Sequence, residues 1–145
     1  MGKPFVLLVD DEVSFVETLT KRMNKRNLKV LSALGGQEAL EILGKNQTLD
    51  VVILDVKMPN MDGIETLSKI KKDFPLMEVI MLTGHATVET AIEGMKLGAF
   101  DYLVKPCDIE KIVLKIEEAT QKKRDHLEKI REAQVKETLT KHGLE

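Results

Sequence analysis

The sequence predicts a doubly wound α/β fold built from five strand–helix units around a parallel sheet. Three observations predict it. Five short apolar runs recur along the chain, longer amphipathic stretches separate them, and turn-forming residues punctuate the joins.

The runs are Phe5–Val9, Leu28–Leu31, Val51–Leu54, Val79–Leu82 and Tyr102–Val104. The first, third and fourth are apolar throughout, the pattern of strands covered on both faces. Helical spacing fills the gaps. Phe15, Leu19 and Met23 make one stripe, and Ala39, Leu40 and Leu43 a second. Ile64, Leu67 and Ile70 form a third, and Val88, Ala91, Ile92 and Met95 a fourth. The last runs through Ile109, Ile112, Val113 and Ile116. Gly35-Gly36, Pro59-Asn60, Asp62-Gly63, Phe74-Pro75 and Gly98 mark the turns. Right-handed crossovers leave strand order 2-1-3-4-5, the flavodoxin-like arrangement, as the common solution for five units. Ligands then belong at the carboxyl ends of the strands, near the switch point between strands 1 and 3.

Composition sets the outer limits. With 43% hydrophobic and 32% charged residues, the 145-residue chain suits one globular domain with a real core. Its 22 basic and 24 acidic residues give a net charge of −2, so no global field points to nucleic acid or a membrane. Cys107 stands alone, which excludes an intrachain disulfide and reads as a small reduced hydrophobe. The apolar run after Met1 is too short for a signal peptide, Val6 stands where a myristoylation signal wants Ser or Thr, and nothing reaches the length of a membrane span. A cytoplasmic location is expected.

Asp10-Asp11-Glu12 follows strand 1 and Asp55 follows strand 3, so neighbouring strands bring at least three carboxylates into one crevice. Two carboxylates ~4 Å apart at an effective dielectric of ~20 repel by ~4 kcal/mol. A cation resolves such a cluster, and oxygen ligands without nearby His or Cys indicate Mg²⁺, with Mn²⁺ able to substitute. Each residue also has a plainer role. Asp10 or Asp11 would cap the first helix, Asp55 form a turn, Lys105 sit on the surface, Thr83 end a strand and Tyr102 serve as an amphipathic aromatic. Their joint position at the ends of strands 1, 3, 4 and 5 favours a shared site.

The segments VLLVDDE, VVILDVKMPNMDGIE, VIMLTGHA and GAFDYLVKP resemble, in order and spacing, the motifs of response-regulator receiver domains of two-component signalling. The resemblance runs from residue 4 to about 120. It implies that Asp55 is the phosphoacceptor and a metal ligand, that Asp11 binds Mg²⁺ directly, and that Asp10 binds through a metal-bound water. It adds the backbone carbonyl of Lys57 as a ligand and assigns Thr83 and Lys105 to the phosphoryl oxygens. Tyr102 becomes the switch aromatic, and Lys105-Pro106 a cis peptide. Such a protein is a phosphoacceptor switch rather than an enzyme: it promotes its own phosphorylation and slow autodephosphorylation. The implied partners are a sensor histidine kinase or histidine phosphotransfer protein as donor and an unknown output protein, with no direct nucleic-acid or membrane contact. The output face is helix 4, strand 5 and helix 5. His85 and Lys57 read as rim residues that tune phosphoryl lifetime.

Other readings fit less well. A phosphatase of the haloacid-dehalogenase type needs a second acid two residues after its nucleophile, where Lys57 stands. A receiver-like scaffold or dimerisation module, belonging to or acting on a larger transcriptional regulator, is the alternative. The residues after the domain are too few for a helix-turn-helix unit, and no G-x-x-x-x-G-K-[ST] motif occurs. The expected division is a receiver over 1–120 and a charged helical extension over 121–145. That extension carries a thin stripe of Leu127, Ile130 and either Ala133 or Gln134, interrupted by Lys123. A solvated helix and a dimerising coil fit it equally, and helix 4–strand 5–helix 5 is a second possible homodimer surface. Gly143-Leu144-Glu145 reads in part as a cloning scar. If Met1 to about Gly143 is the whole natural product, it is a stand-alone receiver.

Overall fold

The computed structural model describes residues 2–144. Glu145, part of the expected scar, lies outside them. Five strands and five helices alternate: β1 (Phe5–Val9), α1 (Val13–Asn24), β2 (Lys29–Ala33), α2 (Gly36–Lys45), β3 (Val51–Leu54), α3 (Gly63–Asp73), β4 (Glu78–Thr83), α4 (Val88–Lys96), β5 (Asp101–Val104) and α5 (Ile109–Lys141). All strand pairs are parallel and the order is β2-β1-β3-β4-β5, as the sequence predicts.

Alternate strand residues feed two cores. Val6, Leu8, Val51, Ile53, Ile80 and Leu82 meet Val16, Leu19 and Met23 of α1 and Ile109, Ile112 and Ile116 of α5. Leu7, Val9, Val52, Leu54, Val79 and Met81 face Ala39 and Leu43 of α2 and Leu67 and Ile70 of α3. The central strands are buried on both faces, hence their unbroken apolar runs.

The edges depart from the simple pattern. β2 begins one residue later than its apolar run, because Leu28 is a core plug after α1: Asn27 adopts a left-handed φ of 65°, and the Leu28 N–H closes on the Met23 carbonyl. In α4 the apolar stripe faces outward. Val88, Ile92 and Met95 are exposed, while Gly94 is the buried contact, with Met81 and Tyr102 against it. A small residue allows close approach at the sheet edge and turns the larger ones to the surface.

Helix α5 continues through residue 120 without a break. Lys123 does not interrupt a solvated stripe, as the charge pattern had suggested. It is buried, and its ammonium donates to the Leu49 carbonyl. Arg124 beside it donates to the Asp50 carboxylate at 3.1 Å and to the Gly2 carbonyl at 2.8 Å. Asp50 accepts the Phe5 N–H at 2.9 Å, and Lys122 lies 3.6 Å from Glu78. Three consecutive basic residues thus fasten the helix across the amino ends of β1, β3 and β4. Among the described residues no helix is long and apolar enough to cross a membrane.

Candidate functional site

Strand ends place the polar residues. β1 delivers Asp10 at 1% exposure and β3 delivers Asp55 at 2%, whereas Asp11 is exposed. One carboxylate oxygen from each of the three lies within 4.8 Å of the others. Neither Asp10 nor Asp11 caps α1, because the cap position is Glu12. Asp10 instead folds its Oδ1 back onto the Glu12 N–H at 2.9 Å. Asp55 Oδ1 accepts the Val56 N–H at 2.8 Å.

Lys105, after β5, is the cation of this crevice. Its ammonium lies 2.6 Å from Asp10 Oδ2, 3.5 Å from Glu12 and 4.0 Å from Asp55 Oδ2. It also sits 3.9 Å from the centre of the Phe15 ring. Burial pushes the Asp10 carboxyl above its ordinary value, with the nearby Asp55 charge adding to it, and the hydrogen bonds from Lys105 and Glu12 only partly offset this. Burial acts on Lys105 to lower its affinity for the proton. The hydrogen bond and charge of Asp10, with Asp55 and Glu12 behind them, outweigh it and hold the ammonium above its usual range. Three acids facing one lysine leave excess negative charge.

Beside the cluster lies an open crevice of about 530 Å³, lined by Asp11, Glu12, Asp55, Lys57, Met58, Pro59 and His85. Thr83 is fully buried at the end of β4, and its hydroxyl oxygen accepts the His85 N–H at 3.0 Å. Strand parity puts Thr83 and Met81 on one sheet face, and Met81 pairs with Tyr102. The Tyr102 hydroxyl is 2.7 Å from the Thr90 hydroxyl on α4. The Lys105–Pro106 bond is cis.

Phe15 escapes the sequence motifs, and the roles of Glu12 and Gly63 within them went unassigned. Phe15 on α1 and Glu12 at its cap reach Lys105, and one turn of helix after the acid pair was the available signal for Phe15. Gly63 starts α3 hard against the backbone that leaves β3. A Cβ there would stand 2.0 Å from the Asp55 carbonyl oxygen, while the Gly63 N–H bonds the Val56 carbonyl at 2.6 Å. The sequence marked Asp62-Gly63 only as a turn.

A doubly wound sheet with an acid trio and a lysine at its switch point defines a receiver-type α/β domain. Comparison with known proteins makes the class specific. Residues 6–117 match the response regulator receiver domain family. The chain is 40% identical over 114 residues to the transcriptional regulatory protein ZraR of Klebsiella oxytoca, covering 79% of this chain and 26% of that protein. It is 37% identical over 119 residues to the DNA-binding transcriptional regulator NtrC of Escherichia coli (strain K12), covering 82% and 25%. A crystal structure of a response regulator receiver domain protein from Clostridium thermocellum superposes with a TM-score of 0.80 at 38% identity, covering 83% of this chain and 97% of that one. The chain therefore belongs to the response regulator receiver domain family. It spans about a quarter of the length of the curated relatives.

Proposed function

We propose that this unit is a phospho-switch that accepts a phosphoryl group on Asp55 from a histidine kinase or histidine phosphotransfer protein. The observation that carries the reading is the convergence of the Asp10, Asp11 and Asp55 carboxylates within 4.8 Å, faced by Lys105. The all-oxygen donor set fits a hard divalent cation, Mg²⁺ first and Mn²⁺ as a substitute. Asp11, Asp55 and the Lys57 carbonyl would hold it directly. Asp10, whose two oxygens are already engaged by Lys105 and the Glu12 N–H, would act through water. When bound, the ion supplies neutralisation of the charge shared by the acids and the phosphoryl oxygens.

The chain's own groups do the rest. An Asp55 carboxylate oxygen attacks phosphorus, the bond from phosphorus to the donor atom breaks, and the donor leaves with that electron pair. Lys105 offers N–H donors to the transferred oxygens, and the Thr83 hydroxyl turns to offer its proton. Thr83 would thereby release the His85 N–H that it now accepts. The volume it leaves lies on the sheet face of Tyr102, whose hydroxyl ties α4 through Thr90. Rotation of Tyr102 would break that tie and reshape α4, β5 and α5, where Val88, Ile92, Met95 and Val104 are exposed. A change of population from 1:99 to 99:1 takes ~5.5 kcal/mol, within reach of a few charge-assisted hydrogen bonds of ~1.5–3 kcal/mol each.

The receiver unit is assigned to residues 1–120, the helix beyond it to an extension, and the location to the cytoplasm. Similarity to ZraR and NtrC favours an output in transcriptional control, through protein contacts of this unit rather than direct DNA binding. The test is intact-mass detection of one phosphoryl adduct after acetyl phosphate and Mg²⁺. The adduct is expected in the native protein and absent in Asp55→Asn or with a chelator. An adduct that survives Asp55→Asn would refute the assignment.

A further inference from the structure

We infer that Phe15 is a positioning residue for phosphoryl transfer, its ring face seating the Lys105 ammonium over the acceptor crevice. The inference rests on the reading of Asp55 as acceptor and names a side chain that the motif segments do not contain. Lys105 sits among four partners. Three are carboxylates, at 2.6, 3.5 and 4.0 Å; the fourth is the Phe15 ring, with its centre 3.9 Å from the ammonium. That distance is well inside the range in which a ring quadrupole attracts a cation.

The ring solves a problem that the acids create. A lysine held only by carboxylates is locked to the strongest, here Asp10, and must break that ion pair to reach an incoming phosphoryl group. One held by nothing swings its four-carbon stem into solvent. The ring attracts the ammonium broadly and neutrally, so the charge stays in the crevice while its N–H groups can change acceptors. The seat is also fixed. Phe15 packs against the α1/α5 core, and a small hollow of about 70 Å³, lined by Phe15, Leu19, Leu82 and Cys107 among others, adjoins the lysine. From this seat the Asp55 oxygen is 4.0 Å away, so engaging an oxygen bound to Asp55 needs only a short shift.

A graded experiment separates electrostatics from packing. Phe15 is replaced in the full chain by phenylalanines carrying one, two and three ring fluorines, which drain the ring face of negative potential at nearly constant shape. The rate of adduct formation with acetyl phosphate and Mg²⁺ is then followed by intact mass. It is expected to fall stepwise with fluorine number, by roughly threefold to tenfold overall. Phe15→Leu should fall about as far, and Phe15→Trp should restore the native rate. Thermal melts verify that each variant folds. A rate that is flat or rising across the fluorinated series overturns the inference. A native protein that forms no adduct, or whose adduct persists in Asp55→Asn, instead removes the acceptor assignment beneath it.

Discussion

The two ends of the sheet carry opposite electrostatic designs. At the carboxyl ends of the strands, Asp10, Asp11 and Asp55 crowd together with Lys105 as their cation and Glu12 nearby. At the amino ends each acid meets a cation, Asp50 with Arg124 and the Phe5 N–H and Glu78 with Lys122, while Lys123 donates to the Leu49 carbonyl. Matched charges that tie α5 to three strands serve stability and helix direction. Unmatched charges on a crevice open to solvent raise the energy of the folded state, and a divalent cation bound there would offset it. The proposed function sits where the fold leaves its charge unbalanced.

Substitutions should therefore divide cleanly between chemistry and stability. The largest effect belongs to Asp55→Asn, which is expected to abolish the phosphoryl adduct while folding as well as the native chain. At the opposite end, Asp50→Ala removes the carboxylate that accepts from Arg124 and from the Phe5 N–H. A loss of about 2–4 kcal/mol in urea unfolding is expected, with the adduct still formed by the folded fraction. If Asp50→Ala instead abolished the adduct in folded protein, the division of labour would fail.

Added Mg²⁺ sharpens the contrast further. At tenfold over its dissociation constant the ion should stabilise the native protein by about 1.4 kcal/mol in a thermal or urea titration. Asp11→Asn should shrink that response, whereas Asp50→Ala should keep it. The smallest effect concerns pH. Burial works to raise the Asp101 carboxyl, but the hydrogen bond from Lys115, the Tyr102 N–H and the charges of Lys115 and Lys111 outweigh it and hold the group below its ordinary value. Because the folded-state pKa is the lower one, this contribution is present above the unfolded value near 3.8 and is lost as pH falls through the folded one. Asp101→Asn should cost a little stability at neutral pH and flatten the acid limb of the stability profile, by a small amount for so exposed a pair.

The same contrast explains what the sequence made legible. Buried strands announce themselves because both faces need apolar residues, so β1, β3 and β4 could be read directly, while their order came from the common topology of five right-handed units. The acid trio was visible once those strands were placed, since its members directly follow β1 and β3. The stripe of α4 pointed the other way. Periodicity reports an apolar face but not whether the protein covers it, and in α4 the buried contact is Gly94. Lys123 misled for a related reason, because a long aliphatic stem buries readily when its ammonium finds a carbonyl. Phe15 and Gly63 matter through contacts across space, with Lys105 and with the Asp55 carbonyl, which no local pattern records.

Borohydride mapping identifies the atom that takes the phosphoryl group. Protein treated with acetyl phosphate and Mg²⁺ is reduced, which converts an aspartyl phosphate to homoserine, then digested and sequenced by mass spectrometry. Homoserine at position 55, with Asp10, Asp11 and Glu12 unchanged, is the predicted result. Homoserine at another acid, or at none when the intact protein carries the adduct, would contradict it.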